Sequence, residues 1–233
     1  KQGDNVLVIS DEKKEEIGRA FEFSAKKMGA SVCFYSLPEA LRPLLDVPDD
    51  LLASIEDTRI SYQIAINAFE GVAEETPFRI KLSTLEMKRG ARVGHAPGIT
   101  NDMMIRGPMN ADYRAIAGKA NKLMEAFEGA KEAHITAPGG TDVTLDIEGR
   151  TFETDVLIKS GMIGNLPAGE IWCAPVEDKG DGVIVCDASI GDLDMILEEP
   201  FTIRIKGGKI EDMDCSDKAL LDRVWELVKV DKM

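Results

Sequence analysis

The opening 35 residues limit the fold more than any other stretch of this chain. Asn5-Val6-Leu7-Val8-Ile9 is an unbroken apolar run closed by Ser10-Asp11, as expected of a strand buried on both faces. Residues 12–28 place Ile17, Phe21, Phe23 and Met28 at helical spacing among lysines and glutamates, and Gly29 ends the segment. Residues 30–35 return to a strand, with Val32 and Phe34 alternating around Cys33. Strand, helix and strand in so short a span is a βαβ unit, and its crossover makes the two strands parallel.

The same grammar continues. Pro38 and Pro43 make 38–48 irregular, a short helix is predicted over 48–57, and Ile60–Ile66 reads as a third strand. Thr76-Pro77 starts a helix that runs to Lys88 or Arg89 and stops at Gly90, before a strand at Ala91–His95 that Ala96-Pro97-Gly98 breaks. Asn110 to Asp112 caps an amphipathic helix over 113–128.

Beyond it the pattern changes to short strands between glycine turns. These are expected at Ala133–Thr136, Val143–Ile147, Arg150–Phe152, Ile171–Cys173, Gly182–Cys186, Phe201–Ile205 and Lys209–Met213. Lys206-Gly207-Gly208-Lys209 marks a hairpin, and a last helix spans 217–229. The expected fold class is α/β. An open, mainly parallel α/β domain covers 1–112, and a β-rich α+β domain with flanking helices covers 113–233.

Charge removes several partners. The net charge is −14, with 18 acids against 14 bases in residues 1–113 and 24 against 14 in 114–233. That field repels phosphate backbones and anionic lipid, so neither nucleic acid nor membrane is expected as a partner. No run reaches the ~18 apolar residues of a membrane helix and no secretory h-region stands out, so a cytoplasmic location is expected. Cys33, Cys173, Cys186 and Cys215 are scattered without a Cys-x-x-Cys pair, which predicts reduced, buried thiols.

Chemistry has few carriers. No Gly-x-Gly-x-x-Gly follows the first strand and no P-loop occurs, so dinucleotide and P-loop phosphate binding lack support. Gly139-Gly140-Thr141-Asp142 reads as a hairpin turn. His95 and His134 are the two histidines, each in or at the end of a strand, and no Gly-x-Ser-x-Gly elbow accompanies them. A strand-end histidine can face a ligand, since open α/β sheets bind ligands beyond their C-terminal strand edges, or it can be a partly buried residue with one satisfied hydrogen bond.

The stretch Asn165-Leu166-Pro167-Ala168-Gly169-Glu170-Ile171-Trp172-Cys173-Ala174-Pro175-Val176-Glu177 sets two carboxylates around an apolar pair. Glu170 and Glu177 are the carboxylate candidates, able to ligate a divalent metal or to stand in water at a hairpin edge, with Glu177, Trp172 and His95 as further substrate-side candidates.

Several segments resemble one family in the same order. They are Gly3-Asp4-Asn5-Val6-Leu7-Val8-Ile9-Ser10-Asp11, Gly90-Ala91-Arg92-Val93, Pro97-Gly98-Ile99-Thr100, Arg106-Gly107 with Asp112-Tyr113, Gly140-Thr141-Asp142, and the Asn165–Glu177 stretch. The set resembles the thermophilic-type aminopeptidases, the M29 metallopeptidases, which in turn resemble a ring-opening dioxygenase that uses a single iron. The resemblance implies hydrolysis of N-terminal peptide bonds by a pair of divalent metals (zinc, cobalt or manganese), a peptide or small zwitterionic substrate, and a homodimer.

It also implies that Glu170 is a metal ligand, with the other ligands in a region following Val230. Were these 233 residues the whole molecule, no peptide hydrolysis would be expected. The alternatives are a non-enzymatic binding or scaffold protein of the same fold, or a relative of the single-iron ring-cleaving dioxygenase.

Overall fold

The computed structural model describes residues 2–191, 193 and 195–229. In chain order its first elements are β1 (Asn5–Ser10), α1 (Glu15–Lys27), β2 (Ser31–Ser36), α2 (Asp49–Glu56), β3 (Ile64–Ala68) and α3 (Thr76–Lys88). Then come β4 (Arg92–His95), α4 (Asn101–Ile105), α5 (Tyr113–Ala126), β5 (Glu132–Thr136), β6 (Asp142–Asp146) and β7 (Glu153–Thr154). The last are β8 (Ile163–Asn165), β9 (Ile171–Trp172), β10 (Asp181–Cys186), β11 (Phe201–Lys206), β12 (Lys209–Asp214) and α6 (Lys218–Val228).

The chain divides into two compact units, 1–122 with 154–171, and 123–153 with 172–233. The first holds a five-stranded parallel sheet of order β2-β1-β3-β4-β8. The second holds a five-stranded antiparallel sheet of order β12-β11-β10-β6-β5. The α/β class, with a parallel sheet first and a β-rich part after it, is as the sequence predicts; that the second sheet is antiparallel is the structure's addition.

Central β1 explains its own composition. It lies between β2 and β3, and Val6 to Ser10 are all buried, which an all-apolar run satisfies. Helix α1 lies close on this strand because Gly18 lacks a side chain: a Cβ there would come within 2.7 Å of Ser10 Cβ. Its charges follow the helix dipole, with Glu15 and Glu16 in the first turn and Lys26 and Lys27 in the last. Gly29, at φ +84°, then turns the chain toward β2. Leu7, Ile9, Leu37, Leu51, Phe69, Phe78, Leu82 and Val93 form the main core beneath α2 and α3.

Four expectations are corrected. The third strand begins at Ile64 rather than Ile60, because Ser61 and Gln63 bond to Asn5 at the sheet entrance and pairing starts with Val6 opposite Ile64. Residues 150–152 are not a strand, and the short pairing falls at β7 instead. Cys33 is exposed rather than buried, since β2 is an edge strand, while Cys215 is buried; all four cysteines are free.

The largest correction concerns β8, three residues with glycine at the centre and no periodicity to announce them. They pair with β4, Val93 opposite Ile163 and His95 opposite Asn165, and so carry 154–171 into the first unit. The unit boundaries therefore differ from a single division after residue 112. Helix α4, capped by the Thr100 side chain, is also absent from the sequence reading.

In the second unit, Phe201, Met213, Cys215, Leu220 and Val224 make a core between the sheet and α6. Gly207 and Gly208, both at positive φ, close the predicted hairpin between β11 and β12. Among the described residues no helix is long and apolar enough to cross a membrane.

Candidate functional site

All five strands of the parallel sheet point their C-terminal ends the same way, so Ser10, Ser36, Ala68, His95 and Asn165 mark one edge. From β1 the chain passes to β2 on one side and to β3 on the other, which opens a crevice at that edge, where open α/β sheets take their ligands.

The crevice is built around Arg42. Asp11, just past β1, is fully buried and receives the backbone N–H of Glu70 at 2.7 Å and of Lys14 at 2.9 Å. Arg42 donates from Nη1 to Asp11, from Nε to Glu75 Oε1 at 2.9 Å, and from Nη2 to Glu75 Oε2 at 2.6 Å and the Glu70 carbonyl at 3.2 Å. The Glu75 hydrogen bond, reinforced by Asp11, raises the Arg42 pKa against the opposing effect of burial.

A cavity of about 340 Å³ opens here, lined by Lys13, Glu39, Arg42, Pro43, Val72, Glu74 and Glu75. The guanidinium is committed to protein acceptors and the wall carries excess carboxylate, so the group staples the loops of the crevice rather than offering itself to an anion.

His95 closes β4 with its ring edge-on to Phe69, centroids 5.9 Å apart at 74°. Burial, helped by the charge of Arg79, pushes its pKa down to about 4, so the imidazole is neutral at pH 7. In the same row of the sheet stands Asn67, whose amide donates to Glu86 Oε2 at 2.8 Å.

Glu170 follows the end of β8 through a turn with a cis Leu166-Pro167 bond. The turn is tied down at each residue: Leu166 N–H to the His95 carbonyl at 2.7 Å, Ala168 N–H to the Tyr113 hydroxyl at 3.1 Å, and Gly169 N–H to the buried Asp155 at 3.4 Å. The Glu170 carbonyl receives the Thr154 hydroxyl at 2.7 Å, while the residue itself is exposed. Glu170 belongs to the parallel-sheet unit, not to the β-rich one where the sequence places it.

The other candidates have surroundings of their own. Glu177, in the second unit, pairs with Arg150; a backbone hydrogen bond and then that guanidinium hold its carboxyl below the usual range. Trp172 is 39% exposed. His134 bonds Asp142 across a hairpin at 2.8 Å. Among the described residues no three His, Cys, Asp or Glu side chains are grouped to hold a metal ion. The divalent metal implied by the resemblance therefore has no fitting ligand set in this part of the molecule.

Sequence reasoning misses Arg42, Glu75, Asn67, Glu86 and Asp155. Only Asp11, closing the first strand, carries a signal, since a carboxylate at a parallel strand's C-terminal end is placed for the crevice.

The family model described as NicX: 2,5-dihydroxypyridine 5,6-dioxygenase matches residues 1–227. Among solved structures the chain is similar to a 2,5-dihydroxypyridine dioxygenase from Pseudomonas putida KT2440, at 16% identity and TM-score 0.66 over 95% of this chain and 65% of that one. It is also similar to wild-type AmpT from Thermus thermophilus, at 15% identity and TM-score 0.66 over 97% of this chain and 70% of that one. At such identities the two structures establish the fold. No curated protein matches the sequence.

The family match overturns the M29 resemblance, and with it the metalloaminopeptidase activity and the peptide substrate. The motifs that carried that resemblance are elements of backbone geometry. A helix stop at Gly90, a hairpin at Gly140 and the anchored turn before Glu170 are set by the fold.

Proposed function

This chain belongs to the NicX, 2,5-dihydroxypyridine 5,6-dioxygenase, family, and from that premise we propose that it serves ring-cleaving dioxygenase chemistry on a small hydroxylated nitrogen heteroaromatic. The observation that carries the proposal is a family match running through 1–227, both units included. The chain spans 65% of the length of the first similar structure, so activity and substrate are assigned here as a proposal for the protein to which these residues belong.

Ring cleavage of this class adds both atoms of O₂ across the ring bond that breaks. The described residues hold no grouped ligand set that fits an oxygen-activating metal. What these residues supply is a platform. The C-terminal sheet edge presents a neutral imidazole at His95, and the anchored turn presents the exposed Glu170 carboxylate. A carboxylate so placed accepts a hydrogen bond or proton from a ring hydroxyl, which orients the ring and enriches it for oxidation. A cytoplasmic location suits the four free cysteines.

The test is calorimetric binding of 2,5-dihydroxypyridine to the protein, followed by oxygen uptake with ferrous iron added. Saturable binding weakened about tenfold by Glu170→Gln supports the reading, the size expected for loss of a hydrogen bond to a charged group. Absence of both binding and ring loss overturns it.

A further inference from the structure

Four buried side-chain atoms lack hydrogen-bond partners among the described residues: Asn67 Oδ1, Glu86 Oε1, His95 Nδ1 and Arg79 Nε. Asn67 and Glu86 bond each other, and His95 feels the charge of Arg79, so the four make two pairings between the sheet and α3. Asn67 on β3 and His95 on β4 are register neighbours and so face the same layer; Arg79 and Glu86 are two turns apart on the helix that packs there.

The central contact is between a fully buried carboxyl and a fully buried amide, Asn67 Nδ2 to Glu86 Oε2 at 2.8 Å. That bond uses one acceptor of the acid and one donor of the amide. The atoms left over, Glu86 Oε1 and Asn67 Oδ1, are both acceptors. Two bare acceptors on one bonded pair in an apolar interior are costly, and neither can satisfy the other. A single proton removes the conflict: bound to Oε1, it turns the carboxyl into a donor toward Oδ1 and completes a reciprocal acid–amide pair.

We propose that Glu86 and Asn67 form a neutral carboxylic acid–amide clasp that ties the C-terminal end of β3 to α3 and loosens when Glu86 releases its proton. The groups facing the clasp do not supply a compensating cation. His95 on β4 is neutral, and the Arg79 charge is felt at His95. Arg92, on the same strand as His95, pairs with Asp4 at 3.5 Å. Burial pushes the Glu86 pKa up to about 8, only partly offset by the Asn67 bond, in agreement with the geometry.

The clasp matters because β3 runs straight into the crevice. Asn67 is followed by Phe69, which packs on His95, and by Glu70, whose N–H bonds Asp11. Loosening it near pH 8 makes the crevice a structure of neutral and acid solutions.

The sign is fixed by linkage. The folded state keeps a proton that the unfolded chain, with Glu near 4.5, has released, so stability falls as pH rises from about 4.5 and levels off above about 8. The experiment compares wild type with Glu86→Gln, an isostere of the protonated form. The wild-type melting temperature is expected to fall relative to the variant by roughly 3–5 °C per pH unit between pH 5 and 8.

Infrared spectroscopy of the wild type at pH 6 is expected to show a protonated carboxyl band that shifts in deuterium oxide and disappears by pH 10. Parallel melting curves overturn the proposal. Should the variant fail to fold, absence of a buried protonated carboxyl from the wild-type spectrum overturns it equally.

Discussion

Arg42 meets Glu75 with a two-pronged ion pair, Nε to Oε1 at 2.9 Å and Nη2 to Oε2 at 2.6 Å, and holds it at the mouth of the parallel sheet with both side chains almost wholly out of water. The same guanidinium reaches Asp11, so one cation balances two carboxylates that are both fully buried. The pair joins the loop after β2 to the loop after β3, the two segments that flank the switch in strand order.

Replacing Arg42 with methionine keeps most of the side-chain volume and strands Asp11 and Glu75 as buried charges. A loss of about 3–5 kcal/mol in unfolding free energy is expected by urea denaturation. A loss below about 1 kcal/mol would show that water reaches the crevice freely enough to solvate both acids.

His95 is expected to remain neutral until the solution is strongly acidic. Its folded pKa, about 4, lies below the ordinary 6.5, so the unfolded chain binds the extra proton first. Stability is therefore complete above pH 6.5 and declines toward pH 4 at up to ~1.4 kcal/mol per pH unit. Imidazole resonances followed by NMR test this, and titration of His95 near pH 6.5 would refute the burial argument. With only one other histidine in the chain, assignment by His134→Gln is direct.

Around Glu170 the turn and the side chain are expected to separate. Glu170→Gln changes an exposed residue and leaves stability within about 0.5 kcal/mol. Tyr113→Phe deletes the acceptor of the Ala168 N–H and costs about 0.5–1.5 kcal/mol while also weakening substrate binding. Equal stability losses for the two variants would mean that the carboxylate is a structural group.

Gly182, in β10, sits at φ +138°, and a Cβ there would run into the backbone of Asp142 and Val143. Gly182→Ala is expected to lower the stability of the second unit by at least ~1–3 kcal/mol and to open the pairing of β10 with β6. Amide hydrogen exchange along 181–186 gives the readout, and unchanged protection there would count against the strain.

Elements with a strong local pattern were legible from the chain alone. The β1–α1–β2 unit, the Thr76-Pro77 helix start, the Gly207-Gly208 hairpin and the Asp112 cap all follow from side-chain spacing and backbone sterics within a few residues. Strand β8 was not, because three residues around a glycine have no period and are held by pairing with β4, some 70 positions away in sequence. The M29 resemblance has a related source, since turns and helix stops are shared by proteins of different chemistry.

The amino-acid order by itself determined that this protein is α/β, that its first strands are parallel and that its later part is rich in short strands, because periodicity and punctuation are local properties. Only the tertiary structure decided which charges are buried together. Arg42 finds Asp11 and Glu75, and Glu86 finds Asn67, across separations that carry no local signal. Burial and pairing depend on what the folded chain brings near, and those surroundings set the protonation of Glu86 and His95.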